Sequence, residues 1–579
     1  MTLDEKIGQM TQVDMNALHD RADLVKYFIG SVLSGGDSDP SDNSPKSWLK
    51  AARQYQEMAL KTRLRIPLIY GIDAVHGHNN VEGAVIFPHN IGLGATHNPA
   101  LIERAQYVTA QEVAATGIHW AFAPCVAVAQ DPRWGRTYES FGEAPDLVSE
   151  LAAASVRGIQ QQLPNGAYIL ACAKHFVGDG GTQNGVDEGN VVCDEATLRK
   201  MHLAPYRAAI EAGVGSMMVS FSSWNGQKMH GNQHLLTGVL KGEMGFQGFL
   251  VSDWAAIDQL SRDYKQDIET AINAGVDMAM IPNGPGQPNN YRDFIRDLKE
   301  LVAEGKVPQS RIDDAVRRIL REKYRIDVFE HPFSDPELAA TIGSPEHRLV
   351  ARECVRQSLV LLKNNRQLLP LSKKPRRLLV MGKGANDLGM QCGGWTISWQ
   401  GQNGEVTKGG TTILAGIRRA VAQGVEVAYS ADGKNVTGSA DAVIAVVGEN
   451  PYAEMKGDRS DLRLSTEDAA LVAKAKDFGA PVVTVLLSGR PLILGPTIEA
   501  SDAFLAAWLP GTEGEGVADV LFGDYKPTGK SPRTWPSSNG HLASDADSAE
   551  AKPAFAYGYG LTYQETARSA SSSRLAGSQ

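Results

Sequence analysis

Phe249-Leu250-Val251-Ser252-Asp253-Trp254 is a short apolar run that ends on a serine, a carboxylate and an indole. An apolar body with a polar carboxyl end is the pattern of a buried parallel strand whose far end opens into a pocket. The pattern recurs through the first ~320 residues, about the length of a large α/β barrel domain. Candidate strands lie at 29–33, 68–73, 120–128, 169–176, 216–220 and 278–281, most of them ending in polar or charged residues and alternating with segments of helical period. With 249–253 they make seven, one short of the eight that close a βα barrel. The spacing therefore predicts α/β architecture with a TIM-like (β/α) barrel over residues 1–324, and chemistry at the strand carboxyl ends.

Beyond it, His331-Pro332-Phe333 and Asp335-Pro336 interrupt both periodicities, so 325–343 reads as a linker. Ser344-Pro345-Glu346 then opens a helix, because serine caps, proline suits the first turn and glutamate complements the helix dipole. Further candidate strands at 378–381, 425–429, 442–447, 482–487 and 504–508 have helices between them, one capped by Ser465 with Asp468. Residues 344–563 thus read as a three-layer α/β sandwich, and 564–579, rich in Ser, Ala and Gly, as a flexible tail.

The 579 residues, 42% hydrophobic and 21% charged, belong to a globular chain with large cores. Lys plus Arg number 57 against 66 Asp plus Glu, a net charge of −9 that argues against nucleic acid or anionic lipid as a partner. No run approaches the ~18–20 apolar residues of a membrane span. The start, M-T-L-D-E-K-I-G-Q-M, has helical spacing and lacks the basic and apolar regions of a signal peptide, so a periplasmic or secreted location requires that a signal has been removed. Five scattered cysteines form neither a disulfide framework nor a C-x-x-C metal site.

Asp253 at its strand end is placed as a nucleophile or base would be, or as a helix N-cap. Other strand ends add polar groups to the same rim: Asp73 after L-I-Y-G-I, Lys174-His175 after I-L-A-C-A, and Arg136 closing D-P-R-W-G-R. Such a mixture suits a sugar, whose hydroxyls donate to carboxylates and accept from cations while tryptophan covers the ring face. The rivals are thinner. Gly382-Lys383-Gly384 lacks the spacing of a phosphate loop, His76-x-His78 has no third ligand at fixed spacing, and no G-x-S-x-G elbow exists. Glycoside hydrolysis needs a second carboxyl group, and the loop after strand 442–447 carries two, Glu449 and Glu454, between which chemistry alone does not choose.

These segments resemble glycoside hydrolase family 3, especially its β-glucosidases and β-glucan exohydrolases. The likeness rests on G-I-D-A-V-H-G-H-N-N at 71–80, D-P-R-W-G-R at 131–136, K-H-F-V-G-D-G-G-T at 174–182, L-V-S-D-W at 250–254, C-G-G-W-T at 392–396 and W-L-P-G-T-E-G at 508–514. The resemblance implies a retaining, exo-acting β-D-glucosidase with no cofactor, working between barrel and sandwich on terminal nonreducing β-glucosyl residues of β-glucans and cello-oligosaccharides. By position it makes Asp253 the nucleophile and Glu454 the acid/base, with Glu449 in reserve. It also implies that Asp73, Arg136, Lys174, His175 and Glu188 hold the nonreducing glucose, that Met218 lines the pocket, and that Trp254 and Trp399 clamp the next sugar. Phe221 and Gln259 stand where plant relatives carry tyrosine and arginine, and Ala129 and Thr137 where they carry cysteines. The β-N-acetylglucosaminidase branch fits less well, because Val177-Gly178-Asp179-Gly180 lacks its proline motif. A β-xylosidase or dual-specificity enzyme, and a noncatalytic sugar-binding protein, are the alternatives.

Overall fold

Eight parallel strands, taken in chain order, form the first sheet of the computed structural model, which describes residues 1–539 and 553–563. They are β1 (Thr11–Asp14), β2 (Ser31–Ser34), β3 (Ile69–Ile72), β4 (Trp120–Ala121), β5 (Leu170–Phe176), β6 (Ser216–Val219), β7 (Phe249–Val251) and β8 (Ala279–Ile281). Each pairs with the next through β7, and β8 pairs with β1. The ring closes where Val251 bridges Met278 in parallel, with the Ser252 N–H donating to the Met278 carbonyl at 2.9 Å. The strand missing from the sequence reading is β1, Thr-Gln-Val-Asp. It is buried along its whole length, and its polar side chains find partners for their donors inside: Thr11 Oγ1 donates to the Ile7 carbonyl and Gln12 Nε2 to Ser31 Oγ, both at 2.9 Å, while Gln12 Oε1 is left without a partner among the described residues. The expected strand 120–128 is shorter than its apolar run. Regular pairing stops at Ala121, and beyond it the chain keeps irregular contact with β5, the Cys172 N–H donating to the Ala123 carbonyl at 2.8 Å before Cys125 bridges Lys174.

Helices cover the barrel because their starts are written into the sequence. Asn98 caps Pro99–Ala115, Asp263 caps Tyr264–Ala274 and Asn290 caps Tyr291–Ala303. Trp120 fills the barrel interior between Phe122 and Phe249, with ring centroids 4.8 and 5.1 Å away, and its indole N–H reaches Ser216 Oγ at 2.8 Å. Full burial of one such side chain contributes roughly 1.5–3 kcal/mol.

The second sheet holds β9 (Val360–Asn364), β10 (Arg377–Met381), β11 (Glu426–Ser430), β12 (Ala442–Gly448), β13 (Val482–Leu487) and β14 (Ala503–Trp508). Its order is β9-β14-β13-β12-β10-β11, and β9, which the sequence reading did not separate from its neighbours, is the one antiparallel strand. Alternation sorts its two faces. Leu378, Val380, Ile444 and Val446 pack with helices Ile413–Ala420 and Glu515–Leu521, whereas Leu379, Val443, Ala445 and Val447 share a cluster with helix Thr466–Ala475 and with Val75, Ile91 and Tyr138 of the barrel. One apolar face thus joins sandwich to barrel. Helix Pro345–Ser358, capped by Ser344, lies at the junction, with Ala351 and Cys354 in the barrel core and Val355 in the sandwich core. The expected tail 564–579 lies outside the described residues.

Candidate active site

Ser252 follows β7 with its hydroxyl accepting the Met280 N–H at 2.8 Å, which fixes the backbone from which Asp253 projects. Asp253 Oδ1 accepts the Trp254 N–H at 2.7 Å, and its own N–H donates to His230 Nε2 at 3.2 Å. Asp253 Oδ2 lies 3.7 Å from His175 Nε2, outside hydrogen-bond reach. β5 and the loop after β4 supply cations. Lys174 Nζ donates to Asp73 Oδ1 at 2.8 Å, and Arg136 grips Glu139 through Nε at 2.9 Å and Nη2 at 3.0 Å. Arg136 Nη2 also donates to His175 Nε2 at 3.2 Å. A guanidinium has only donors, so Nε2 must be bare and the imidazole proton sits on Nδ1, 2.9 Å from Asp179 Oδ2.

The second carboxyl group comes from the sandwich. The loop leaving β12 carries Glu454, whose Oε1 accepts from Arg136 Nη1 and whose Oε2 accepts the Trp399 indole N–H, both at 3.0 Å. Asp458, four residues on, ties the loop to the barrel by accepting the backbone N–H of Gly135 at 2.7 Å and of Asp187 at 2.8 Å. Arg490, fully buried, donates to the carbonyls of Pro132, Arg133 and Gly457. At Gly135 the two loops touch, and a Cβ there would collide with the Glu454 carbonyl oxygen. Gly135→Ala is expected to push that loop out and lower kcat/KM by ~10²-fold with a small change in Tm, since displacements of about 1 Å cost that much in positioned chemistry. Initial rates and a melting curve check it.

Burial sets the charges. It raises Asp253 to about 6 against the lowering pull of Arg136, and it raises Glu454 to about 8, again against Arg136, with Asp187, Glu139 and Asp253 adding repulsion. His175 is held well below its ordinary value by burial and then by Arg136 and Lys174, in keeping with the neutral tautomer. For Lys174 burial works downward, but the carboxylates of Asp73 and Glu139 outweigh it and keep the ammonium charged.

Arg136 therefore joins His175, Glu454 and, through Glu454, Trp399 across the seam, with the Lys174–Asp73 pair and Asp253 beside them, and Trp254, 43% exposed, follows Asp253. Met218 is buried in β6, paired with Val251. Glu188 sits farther out: it accepts from Gln259 Nε2 at 3.1 Å, and Gln259 in turn accepts from Lys228 at 2.7 Å. Glu449 is taken up structurally, accepting from Tyr452 Oη and the Gly489 N–H at 3.0 Å and lying 3.4 Å from Arg490. Asp179, Glu139, Asp187 and Asp458 were missed by the sequence reading, though Asp179 lies inside the quoted K-H-F-V-G-D segment. His76 and His78 do not converge on a common point: His76 reaches the carbonyls of Phe87 and Trp395, and His78 reaches Thr116 Oγ1. Among the described residues, Cys125, His175 and Asp179 have metal-like proximity, within 4.8 Å of one another. Asp179 already holds the His175 proton and burial keeps the Cys125 thiol protonated, so these donors are committed to a packed hydrogen-bonded cluster.

Comparison with known proteins covers nearly the whole chain. The model of the glycosyl hydrolase family 3 N terminal domain matches residues 2–322, and that of the C-terminal domain matches residues 359–563. The chain is 35% identical to a lysosomal beta glucosidase of Dictyostelium discoideum, over 97% of this chain and 75% of that protein. It is 34% identical to a periplasmic beta-glucosidase of Salmonella typhimurium, over 94% of this chain and 74% of that protein. The crystal structure of an exo-1,3/1,4-beta-glucanase from a Pseudoalteromonas species superposes with a TM-score of 0.91 at 45% identity, covering 98% of this chain and 73% of that one.

Proposed function

The chain belongs to glycosyl hydrolase family 3, and from that premise we propose a two-carboxylate double displacement for its exo-acting β-glucosidase activity. The substrates are terminal nonreducing β-glucosyl residues of β-glucans and cello-oligosaccharides. The observation that supports the mechanism is that Arg136 bonds both Glu454, from the sandwich, and His175, whose Nε2 lies 3.7 Å from Asp253 Oδ2 of the barrel. Asp253 Oδ2 attacks the anomeric carbon while Glu454 gives its proton to the departing glycosidic oxygen. Glu454 then takes a proton from water, the water oxygen bonds to the anomeric carbon, and Asp253 leaves as carboxylate. Asp73 and Lys174 offer an acceptor and a donor to sugar hydroxyls, and Arg136 steadies both Glu454 and His175. Trp254 and Trp399 flank the two carboxyl groups, as a clamp for the leaving sugar requires.

Turnover by this scheme needs Asp253 ionised and Glu454 protonated. From the raised values of about 6 and about 8, kcat/KM is expected to climb with pH through about 6 and to fall through about 8, the two apparent values belonging to the coupled pair. A pH–rate profile on an aryl β-glucoside checks it. Proton NMR of laminari- and cello-oligosaccharide digests tests the reaction itself: β-glucose must appear first and from one end only. Release of the α-anomer defeats double displacement, and a higher kcat/KM on the matched aryl β-xyloside moves the assignment to a xylosidase.

No helix among the described residues is long and apolar enough to cross a membrane. The periplasmic and lysosomal relatives support a place outside the cytoplasm, tested by fractionating the cells that make the protein.

A further inference from the structure

The loop that carries Glu454 has two sides. One meets the barrel; the other forms a wall of a separate cleft of about 820 Å³, built wholly from the sandwich. That volume lies within the ~300–1,000 Å³ range of small-molecule sites. The cleft opens at the carboxyl ends of the parallel strands where the strand order reverses: Lys383 follows β10, while Glu449 and Asn450 follow β12. From β10 the sheet grows one way to β11 and the other way to β12 and β13. The strand ends diverge at such a reversal and leave a crevice, where open α/β sheets bind their ligands.

The lining decides the class of ligand. Five cationic side chains face five carboxylates, so the cleft carries no net charge to favour a phosphate or an ammonium group. Donors and acceptors remain available among them. Lys383 gives one bond, to Asn450 Oδ1 at 2.7 Å, and Lys474 makes no ion pair among the described residues, while Asp432, which also pairs with Lys434 at 3.1 Å, and Asp468, which accepts the Gly448 N–H at 3.4 Å, contribute carboxylates with further lone pairs. Leu471 and Leu492 supply an apolar surface. Interleaved cations and carboxylates over an aliphatic surface match an uncharged polyol, whose hydroxyls donate and accept in turn while its carbon face packs.

We propose that this cleft is a second, noncatalytic binding site for an uncharged pyranose, and that its occupation alters turnover through the shared loop of residues 449–458. That the pyranose is glucose, free or at the end of a chain, rests on the glucosidase reading. Calorimetry with D-glucose on the full chain should then give two binding events. Lys383→Ala/Asp432→Ala should weaken one of them at least tenfold and leave the other, and kcat/KM at low substrate, within twofold of wild type. Inhibition by glucose should change from mixed in wild type to purely competitive in the variant. The proposal is overturned by a single binding event in wild type, by two events that survive in the variant, or by orthophosphate displacing glucose from the second event. If the glucosidase reading is at fault instead, wild type releases no glucose from any β-glucoside, whatever the number of binding events; laminaribiose in place of glucose separates a chain end from the free sugar.

Discussion

Asp253→Ala is expected to lower kcat/KM by ~10⁴-fold or more while the protein still melts cooperatively, because it removes the oxygen proposed to bond to the substrate. A merely positioning carboxylate would not respond to a substitute nucleophile. Here azide should restore part of the rate by entering the vacated space, and because it attacks once, without a second displacement, the product should be the α-glucosyl azide. Recovery of a β-linked product, or no rescue beside near-normal hydrolysis, removes Asp253 from the reaction. The same residue should cost stability. Its folded pKa of about 6 lies above the usual 3.8, so folding favours the protonated form; stability declines as pH climbs between those values and stays lower above them. The penalty at pH 8 is about 3 kcal/mol as an order of magnitude. Asp253→Asn should therefore melt a few degrees above wild type at pH 8 and lose that advantage near pH 4.

Glu454→Gln should cost ~10²- to 10⁴-fold on oligosaccharides, whose departing alkoxide needs a proton. On an aryl glucoside with a strongly acidic phenol the first step needs little protonation, so the loss should shrink and a glycosyl enzyme should accumulate as a burst. The alkaline limb near 8 should vanish with the carboxyl group. Glu449→Gln is the control. Its carboxylate accepts from Tyr452 and Gly489 beside the buried Arg490, so the change should lower Tm without altering dependence on the leaving group.

The strand ends were legible because Asp73, Lys174-His175 and Asp253 each follow an uninterrupted apolar body, a pattern that survives without any tertiary knowledge. β1 was not, because Ile7 and Ser31 partner the buried donors of Thr11 and Gln12, and period alone cannot foresee those partners. The choice between Glu449 and Glu454 was carried by resemblance; in the structure their surroundings differ sharply, one enclosed by Tyr452, Gly489 and Arg490, the other reaching Arg136 across the seam. Asp458 and Asp187 escaped notice because their roles depend on backbone amides hundreds of residues away or on an Arg136 field that exists only after folding.

Arg490 and Asp458 bind backbone atoms of the 131–136 and 187 loops rather than side chains, so what they recognise is shape. For protein engineering this determines where a chimera can be spliced. A sandwich borrowed from a relative and fused at the helix before residue 359 inherits the counterpart of Glu454, the proposed general acid, but it keeps that residue in register only if the donor's barrel turn at Pro132–Gly135 has the same contour. Shuffling libraries that keep residues 131–136 and 448–490 from one parent should therefore retain activity far more often than those that cross parents between them.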